Sequence, residues 1–228
     1  VSCGTVLAID REYADLEHPA HDYWNRPLKD PFTTLLPDLR SGKLALDYQS
    51  EKAFVTSLLE ALQIPVSSQL LVFSSTSLQQ PRISVRNPRA LYFNENLYVG
   101  WVPRGQVEIV SIDPDLGAVF YIFDIPQPER PLEVERSEKC MNCHARSLTG
   151  RTPGLTIKSV IPGPNGGSLD AFRLETTGHA VPFEERFGGW HVTGTHGIRQ
   201  HHGNLSGYFS EGELITKPNE MGERFDLS

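Results

Sequence analysis

The sequence predicts a β-rich α+β fold. An antiparallel sheet over about residues 69–124 would be followed by a Cys-x-x-Cys-His segment and a loop-rich tail. Short runs of β-branched and aromatic residues follow one another with turn residues and no helical pattern between them, which is typical of antiparallel strands. The chain also has 17 Pro and 19 Gly, and this content favours turns over a helical bundle.

Six runs have the composition of strands, and two of the connections between them have the composition of tight turns. Asn94-Glu95-Asn96 and the segment 113–117 are rich in Asn, Asp, Pro and Gly, which adopt turn backbone readily. The predicted strands are residues 70–73, 82–85, 90–93, 97–102, 107–110 and 118–123.

One helix is predicted before the sheet, over about residues 49–62. Phe54, Leu58 and Leu62 recur at helical spacing, so they would form one apolar stripe. Pro65 would end the helix, since proline cannot continue it.

The first segment, residues 1–42, is predicted to be irregular. Asp30-Pro31 and Leu36-Pro37 are two of its four X-Pro pairs. Each proline disfavours helical backbone in the residue before it. We therefore expect this segment to wrap over the surface of the domain.

A Pro-rich stretch at 125–131 is the predicted boundary between two regions. Residues 1–125 would form an N-terminal β-rich region, and residues 126–228 would form the region that contains the Cys-x-x-Cys-His motif. One integrated domain is the alternative, because 228 residues suit either arrangement.

The net charge of the chain is -7 at pH 7. Binding of nucleic-acid phosphates needs clustered Lys and Arg, so this balance argues against nucleic acid as the main partner. The hydrophobic fraction of 39% allows a sizeable core. No apolar run approaches the roughly 20 residues of a membrane-spanning helix.

Cys140-Met141-Asn142-Cys143-His144 is the most informative motif in the chain. Two thiols at this spacing can bond the two vinyl groups of one porphyrin, and the following histidine can then bind the iron. The motif predicts one covalent haem c on Cys140 and Cys143, with His144 as an iron ligand. A zinc site completed by two downstream histidines and a redox-active dithiol are the alternatives. Candidate partners of the haem propionates are Lys139, Arg146, Arg151, Lys158 and Arg173.

Histidines in the tail are candidates for the second axial position of the iron. Five of the eight histidines lie between His179 and His202. We expect His196 first and His202 second to be that ligand, because glycine beside each of them lets the backbone approach a flat macrocycle. Met221 or an open position are the alternatives.

At the Cys140–His144 motif, the sequence resembles the c-type cytochromes. The combination of 92–94, 99–102, this motif and 189–197 looks like a bacterial group of uncharacterised cytochrome c domain proteins. The resemblance implies a haem and a location outside the cytoplasm, and it implies no particular reaction. Ordinary small helical cytochromes c differ, since their motif lies near the N-terminus.

The start of the chain, Val1-Ser2-Cys3-Gly4, resembles the end of a bacterial lipoprotein signal. On this interpretation Cys3 would carry a lipid anchor, and an ordinary cysteine is the alternative. Haem attachment of this type also takes place outside the bacterial cytoplasm. The two features together predict a periplasmic or other extracytoplasmic protein, anchored by lipid to a membrane.

These observations predict an electron-transfer protein rather than an enzyme. It would pass single electrons between redox proteins, with a membrane respiratory or photosynthetic complex as a candidate partner. One alternative is a haem enzyme or gas-binding protein with an open distal site for peroxide or nitric oxide. The other is a haem-bearing accessory subunit of a membrane redox complex.

Overall fold

The protein is described by a computed structural model that covers residues 16–127, 130–146, 149–169, 181–195 and 197–219. The fold is β-rich α+β, as predicted: seven antiparallel strands form one sheet and two form a second, with short helices beside them. The helices are α1 Pro31–Arg40, α2 Glu51–Ala61 and α3 Met141–His144, and single 3-10 turns lie at Val66–Ser68, Gln80–Arg82, Glu138–Cys140 and Phe183–Glu185. The strands are β1 Leu70–Val72, β2 Arg89–Phe93, β3 Leu97–Trp101, β4 Gln106–Asp113, β5 Gly117–Asp124, β6 Glu135–Arg136, β7 Trp190–His191, β8 Leu205–Ser210 and β9 Glu213–Pro218.

The large sheet has the strand order β6-β5-β4-β3-β2-β1-β7. Its central strands β2 to β5 follow one another as a meander, and this confirms the antiparallel sheet predicted for about residues 69–124. The outermost strands β6 and β7 come from residues beyond 125. Residues from both predicted regions therefore contribute strands to one sheet. The boundary at 125 stays a prediction.

Both predicted turns are confirmed, and a side-chain carboxylate or amide closes each. Asn94 Oδ1 accepts hydrogen bonds from the N–H groups of Asn96 and Leu97, at 3.0 and 2.9 Å. Asp113 Oδ1 accepts from the N–H groups of Asp115 and Leu116, at 2.9 and 3.0 Å. These bonds satisfy backbone donors that the strand ladder cannot reach.

The predicted strand at 82–85 is wrong. Arg82 ends a 3-10 turn that has Pro81 at its second position. Ser84 and Asn87 then exchange two backbone hydrogen bonds, each 3.1 Å long, which close a tight turn. The alternation of Ile83 and Val85 reflects the anchoring of this turn by buried Ile83, not the two-sided pattern of a strand.

The prediction of an irregular segment over 1–42 is also wrong in its last part, because α1 occupies Pro31–Arg40. Asp30 is the N-cap of α1, and its side chain accepts a hydrogen bond from the N–H of Thr33 at 3.1 Å. Pro31 follows at the first helical position, where its fixed φ favours the helix and its missing N–H costs nothing. The Asp30-Pro31 pair therefore starts a helix and does not break one.

We call the side of the sheet that carries α1 and α2 the helix face. The predicted helix over 49–62 is confirmed as α2, and its Phe54 packs edge-on against Phe123 of β5, with ring centroids 6.5 Å apart. Phe32 of α1 lies against the same strand, 5.0 Å from Tyr121 and 6.5 Å from Phe123. These four aromatic residues join the two helices to the sheet.

The opposite side, which we call the motif face, bears the Cys-x-x-Cys-His segment. Side chains alternate between the two sides of a strand, so Phe120 lies on the motif face between the helix-face residues Val119 and Tyr121. The chain from Pro153 onward crosses this face, beginning at β5, where Pro153 O accepts from Ala118 N–H at 3.4 Å. Farther along, Lys158 O accepts from the indole N–H of Trp190 at 2.9 Å.

The tail is loop-rich over most of its described length, as predicted, and its last described part contains a hairpin that the sequence pattern did not reveal. In that hairpin β8 and β9 pair from Leu205↔Pro218 to Ser210↔Glu213. Gly207 N–H donates to Pro162 O at 2.9 Å, so the hairpin is held against the chain that crosses the motif face.

Candidate functional site

The Cys-x-x-Cys-His segment is fixed to the edge of the sheet by β6. Ser137 follows β6 and donates its N–H to Phe120 O of β5 at 3.0 Å. A 3-10 turn and α3 then carry the motif. Met141 is buried in the main core, with 8% of its surface exposed. This buried residue anchors the motif from inside while its neighbours remain on the surface.

The three chemical groups of the motif differ in their exposure. Cys140 is half-buried and packs against the core, Cys143 is exposed, and His144 is half-buried. The backbone of Cys140 and Met141 is helical, so residues three and four positions apart lie on one side of the turn. Cys140, Cys143 and His144 therefore share a side of the turn, and of the two cysteines Cys143 is the more exposed.

His144 is held by two reciprocal hydrogen bonds with Gly154. Its ring nitrogen Nδ1 lies 2.8 Å from Gly154 O, and its own carbonyl accepts the N–H of Gly154 at 2.9 Å. The same carbonyl accepts the hydroxyl of Thr149 at 3.2 Å. The ring of His144 also lies against Phe120, with centroids 4.4 Å apart at 39°. These contacts restrict both the backbone and the ring of His144.

The bond to Gly154 fixes the tautomer of His144. A carbonyl oxygen can only accept, so the proton of a neutral imidazole must be on Nδ1 and the lone pair on Nε2. Burial lowers the pKa of His144 from its ordinary value of 6.5, although the Gly154 bond opposes this shift. The imidazole is thus neutral at pH 7 and presents Nε2 as a ligand atom, in the arrangement that metal-binding histidines commonly have.

The environment of Cys140 is unlike that of a redox-active dithiol. Burial raises the pKa of the Cys140 thiol to about 11, whereas reactive Cys-x-x-Cys thiols have a lowered pKa. The motif also follows a strand of an antiparallel sheet, where a thioredoxin-like site would be expected in a βαβ unit. The geometry therefore argues against the dithiol alternative.

The zinc alternative has no support in the part of the chain that the structure describes. No three side chains of His, Cys, Asp or Glu there converge on a point that could hold a metal ion. Zinc sites need four such groups around one centre.

An ion pair lies on the motif face close to the motif. Arg89 Nη1 of β2 is 2.9 Å from Glu108 Oε2 of β4, and 14% and 19% of the two side chains are exposed. The pair reaches across β3 at Gly100, where an added Cβ would lie 3.5 Å from Glu108 Oε2 and 3.6 Å from Arg89 Cδ. Gln79 donates to the other carboxylate oxygen at 3.0 Å. Burial and the Gly154 bond have the largest effects on the pKa of His144. The charge of Arg89 lowers this pKa further, and the charge of Glu108 raises it.

Of the two histidines predicted as the second iron ligand, the structure describes only His202. His196 lies outside the described residues, as do His179, Met221, Arg173 and Cys3. His202 is described: its N–H donates to Arg186 O at 2.9 Å, in the chain between β7 and β8. Since β7 is five strand positions from β5, His202 is attached at the edge of the sheet remote from Phe120. Ligation of iron by His196 or His202 stays a prediction.

Three features of the site were missed at the sequence level. Gly154 acts through its backbone, and a carbonyl group gives no signal in a sequence. Arg89 and Glu108 did leave a signal, because Arg89 directly precedes the apolar residues of β2 and Glu108 lies between the apolar residues Val107 and Ile109 of β4. Their proximity depends on the register of β2, β3 and β4, which the composition of single strands does not give.

Comparison with protein-family models, with curated proteins and with solved structures finds no match to this chain. Among the described helices, none has the length and apolar character needed to cross a membrane.

Proposed function

We propose that this protein is a monohaem c-type cytochrome that transfers single electrons between redox proteins outside the cytoplasm. One haem c would be attached covalently through Cys140 and Cys143, with His144 as the proximal ligand. The observation that carries the proposal is the bond between His144 Nδ1 and Gly154 O, 2.8 Å long, because it leaves the lone pair on Nε2 in the residue that follows the two thiols.

The residues of this site fit a haem. The thiols and His144 share one side of a turn, where a porphyrin edge needs two thioether bonds and an iron ligand. Arg89 Nε is buried without a hydrogen-bond partner among the described residues, which leaves a cationic donor beside the site. Haem c, when bound, supplies an iron that cycles between the ferric and ferrous states.

The chain's own residues would hold that iron in a fixed environment. The Gly154 bond and the Phe120 contact limit rotation of the His144 ring, so little of the protein must move when the iron changes oxidation state. The strand β5 behind His144 is buried along its centre, and it excludes water from that side. A restricted ligand and a dry wall suit an electron carrier.

The second axial ligand in this proposal is His196, or else His202. Two strong axial ligands would keep the iron low-spin and closed to small molecules. Met221 remains the alternative ligand.

A second candidate function follows from the position of His202 at the remote edge of the sheet. If neither His196 nor His202 binds the iron, the distal position is open, and the protein is a haem enzyme or gas-binding protein for peroxide or nitric oxide. A tail histidine would then act as an acid or base beside the iron.

The proposed location is the periplasm or another extracytoplasmic compartment, with a lipid anchor at Cys3. The acidic chain, of net charge -7, would suit a basic redox partner. A membrane respiratory or photosynthetic complex fits this description, and on a third interpretation the protein is an accessory subunit of such a complex.

The test is to produce the chain in bacteria with the c-type haem maturation machinery and to measure its haem content and spectra. We expect one covalent haem per chain, lost in C140A/C143A and retained in C3A, which serves as the matched cysteine control. The H144A variant should retain a thioether-linked haem with a changed spectrum. Protein without haem, or one zinc ion per chain in its place, would overturn the proposal.

Carbon monoxide then separates the two candidate functions. A low-spin ferrous spectrum that carbon monoxide leaves unchanged indicates two protein ligands, and H196A or H202A should make it sensitive. A high-spin spectrum that shifts with carbon monoxide indicates an open site and would favour the enzyme or gas-binding function.

A further inference from the structure

Four apolar residues form a continuous line across the motif face. Phe120 of β5 is paired with Val110 of β4, Val110 with Tyr98 of β3, and Tyr98 with Phe93 of β2. Directly paired residues of antiparallel strands lie on the same side of a sheet. We call these four residues the apolar row; it spans three strand spacings, or about 14 Å.

The apolar row is incompletely covered by the described residues. Phe93 is 36% exposed, and Tyr98 and Val110 are half-buried. Phe93 and Tyr98 stack on each other, with ring centroids 6.0 Å apart at 19°. Neighbouring apolar residues that stay partly exposed can contribute to a binding surface.

The apolar row begins at the candidate functional site. Its first member, Phe120, is the residue whose ring contacts His144 at 4.4 Å. Phe120 itself is buried, with 3% exposed, whereas Val110 and Tyr98 are half-buried and Phe93 is exposed. A ligand bound to His144 that extended over the sheet would therefore cover the exposed members.

A charged border runs beside the apolar row. The neighbouring cross-strand line contains Leu91, Gly100, Glu108 and Ile122, and the Arg89–Glu108 pair lies above Gly100. Arg89 uses Nη1 for Glu108, while its buried Nε has no hydrogen-bond partner in the described part of the chain. A buried guanidinium donor without an acceptor is costly, and a carboxylate is its preferred acceptor.

We propose that the motif face is the seat of the haem, with the porphyrin lying over the apolar row and a propionate bound by Arg89. This inference rests on the proposed function, since it needs a haem on Cys140 and Cys143. The haem is an apolar disc with two carboxylates on one edge, and the face offers an apolar surface bordered by a cation. Arg89 was not among the cations near the motif in sequence.

The first test is hydroxyl-radical footprinting of the holoprotein and of the C140A/C143A apoprotein. Phe93 and Tyr98 should be modified several-fold more slowly in the holoprotein. Tyr48 is the matched control, because it has the same exposed fraction as Phe93, 36%, and packs on Phe54 on the helix side. Its rate should be equal in the two proteins.

Equal rates for Phe93 and Tyr98 in a preparation with one haem per chain would overturn the proposed seat and leave the cytochrome function standing. A preparation without haem overturns the proposed function itself, so the two failures are distinguishable. Protection of Tyr48 along with Phe93 would indicate a general change of fold and would also count against the seat.

The second test concerns Arg89 and uses the reduction potential as a function of pH. In R89Q the pKa of the propionate should rise, so the pH-dependent part of the potential should move to higher pH, and R89K should restore part of the wild-type profile. R89Q/E108Q removes the ion pair without changing net charge. If the pH profile of the potential in that double variant equals that of the wild type, Arg89 acts only by pairing with Glu108. The propionate assignment is then wrong.

Discussion

The two faces of the large sheet are built by the same strands, yet they are completed in different ways. On the helix face, Tyr92, Val99 and Ile109 are at most 1% exposed beneath α1 and α2. Their counterparts on the motif face, Phe93, Tyr98 and Val110, remain partly exposed. Helices thus cover the apolar residues of one face. On the other face, the described residues leave some apolar side chains partly exposed. The Cys-x-x-Cys-His segment lies on the second.

The largest expected effect compares two phenylalanines, one on each face. Phe123 is 3% exposed and contacts both Phe32 and Phe54, so F123A should lower the free energy of unfolding by about 3–5 kcal/mol. Phe93 is partly exposed, so F93A should cost the haem-free protein only about 1–2 kcal/mol. Urea unfolding of the C140A/C143A protein measures both. Equal losses would mean that the motif face is as fully packed as the helix face.

A somewhat smaller effect tests the polar group that attaches α1 to the helix face. Asp30 is fully buried, caps α1 through Oδ1 and accepts the Tyr121 hydroxyl through Oδ2 at 2.7 Å. D30A should cost about 2–3 kcal/mol, as the loss of a cap together with a buried hydrogen bond.

A double-mutant cycle separates these two contributions. In a Y121F background the hydroxyl is absent, so D30A should there cost only the cap, about 1 kcal/mol. Urea unfolding of D30A, Y121F and the double variant measures the coupling. Strictly additive losses would show that the Asp30–Tyr121 bond contributes nothing to stability.

The helix face could largely be predicted from sequence because its signals are local. The β-branched and aromatic composition of β2 to β5, the helical spacing from Phe54 onward and the Asn and Asp turns each depend on neighbouring residues. The helix α1 was missed because Asp30-Pro31 has two opposite meanings. It starts a helix only if the Asp30 side chain folds back onto Thr33, and packing against Tyr121 favours that arrangement.

The motif face could be predicted only at the motif itself. Cys140 to His144 carry their chemistry in their spacing, whereas β6 and β7 are two residues long and have no periodicity to detect. The Gly154 carbonyl and the Arg89–Glu108 pair depend on long-range register. Such contacts join residues that are distant in sequence, so neither composition nor period can reveal them.

The third prediction asks whether the proposed haem covers the exposed part of the motif face. If the porphyrin covers the exposed third of Phe93, this residue buries further area, and F93A should cost about 1–2 kcal/mol more in the holoprotein than in the haem-free protein. The measurement is urea unfolding of both forms, with F93A and with Y48A as the exposed control on the helix side. If F93A lowers the free energy of unfolding equally with and without haem, Phe93 is not part of the haem seat.

The smallest expected effect asks how completely water is excluded from the helix face. Burial raises the pKa of Tyr92 to about 12, while the hydrogen bond from Gln69 acts in the opposite direction. A tyrosine in the unfolded chain ionises near pH 10. The folded state therefore resists ionisation, so the stability contributed by neutral Tyr92 is complete below pH 10 and is lost as the pH rises toward 12.

Between pH 9 and 11, wild-type protein should lose about 1 kcal/mol more free energy of unfolding than Y92F, as measured by urea unfolding at each pH. Parallel pH profiles for the two proteins would mean that water reaches the Tyr92 hydroxyl, and the helix face would then be less completely sealed than its exposed areas indicate.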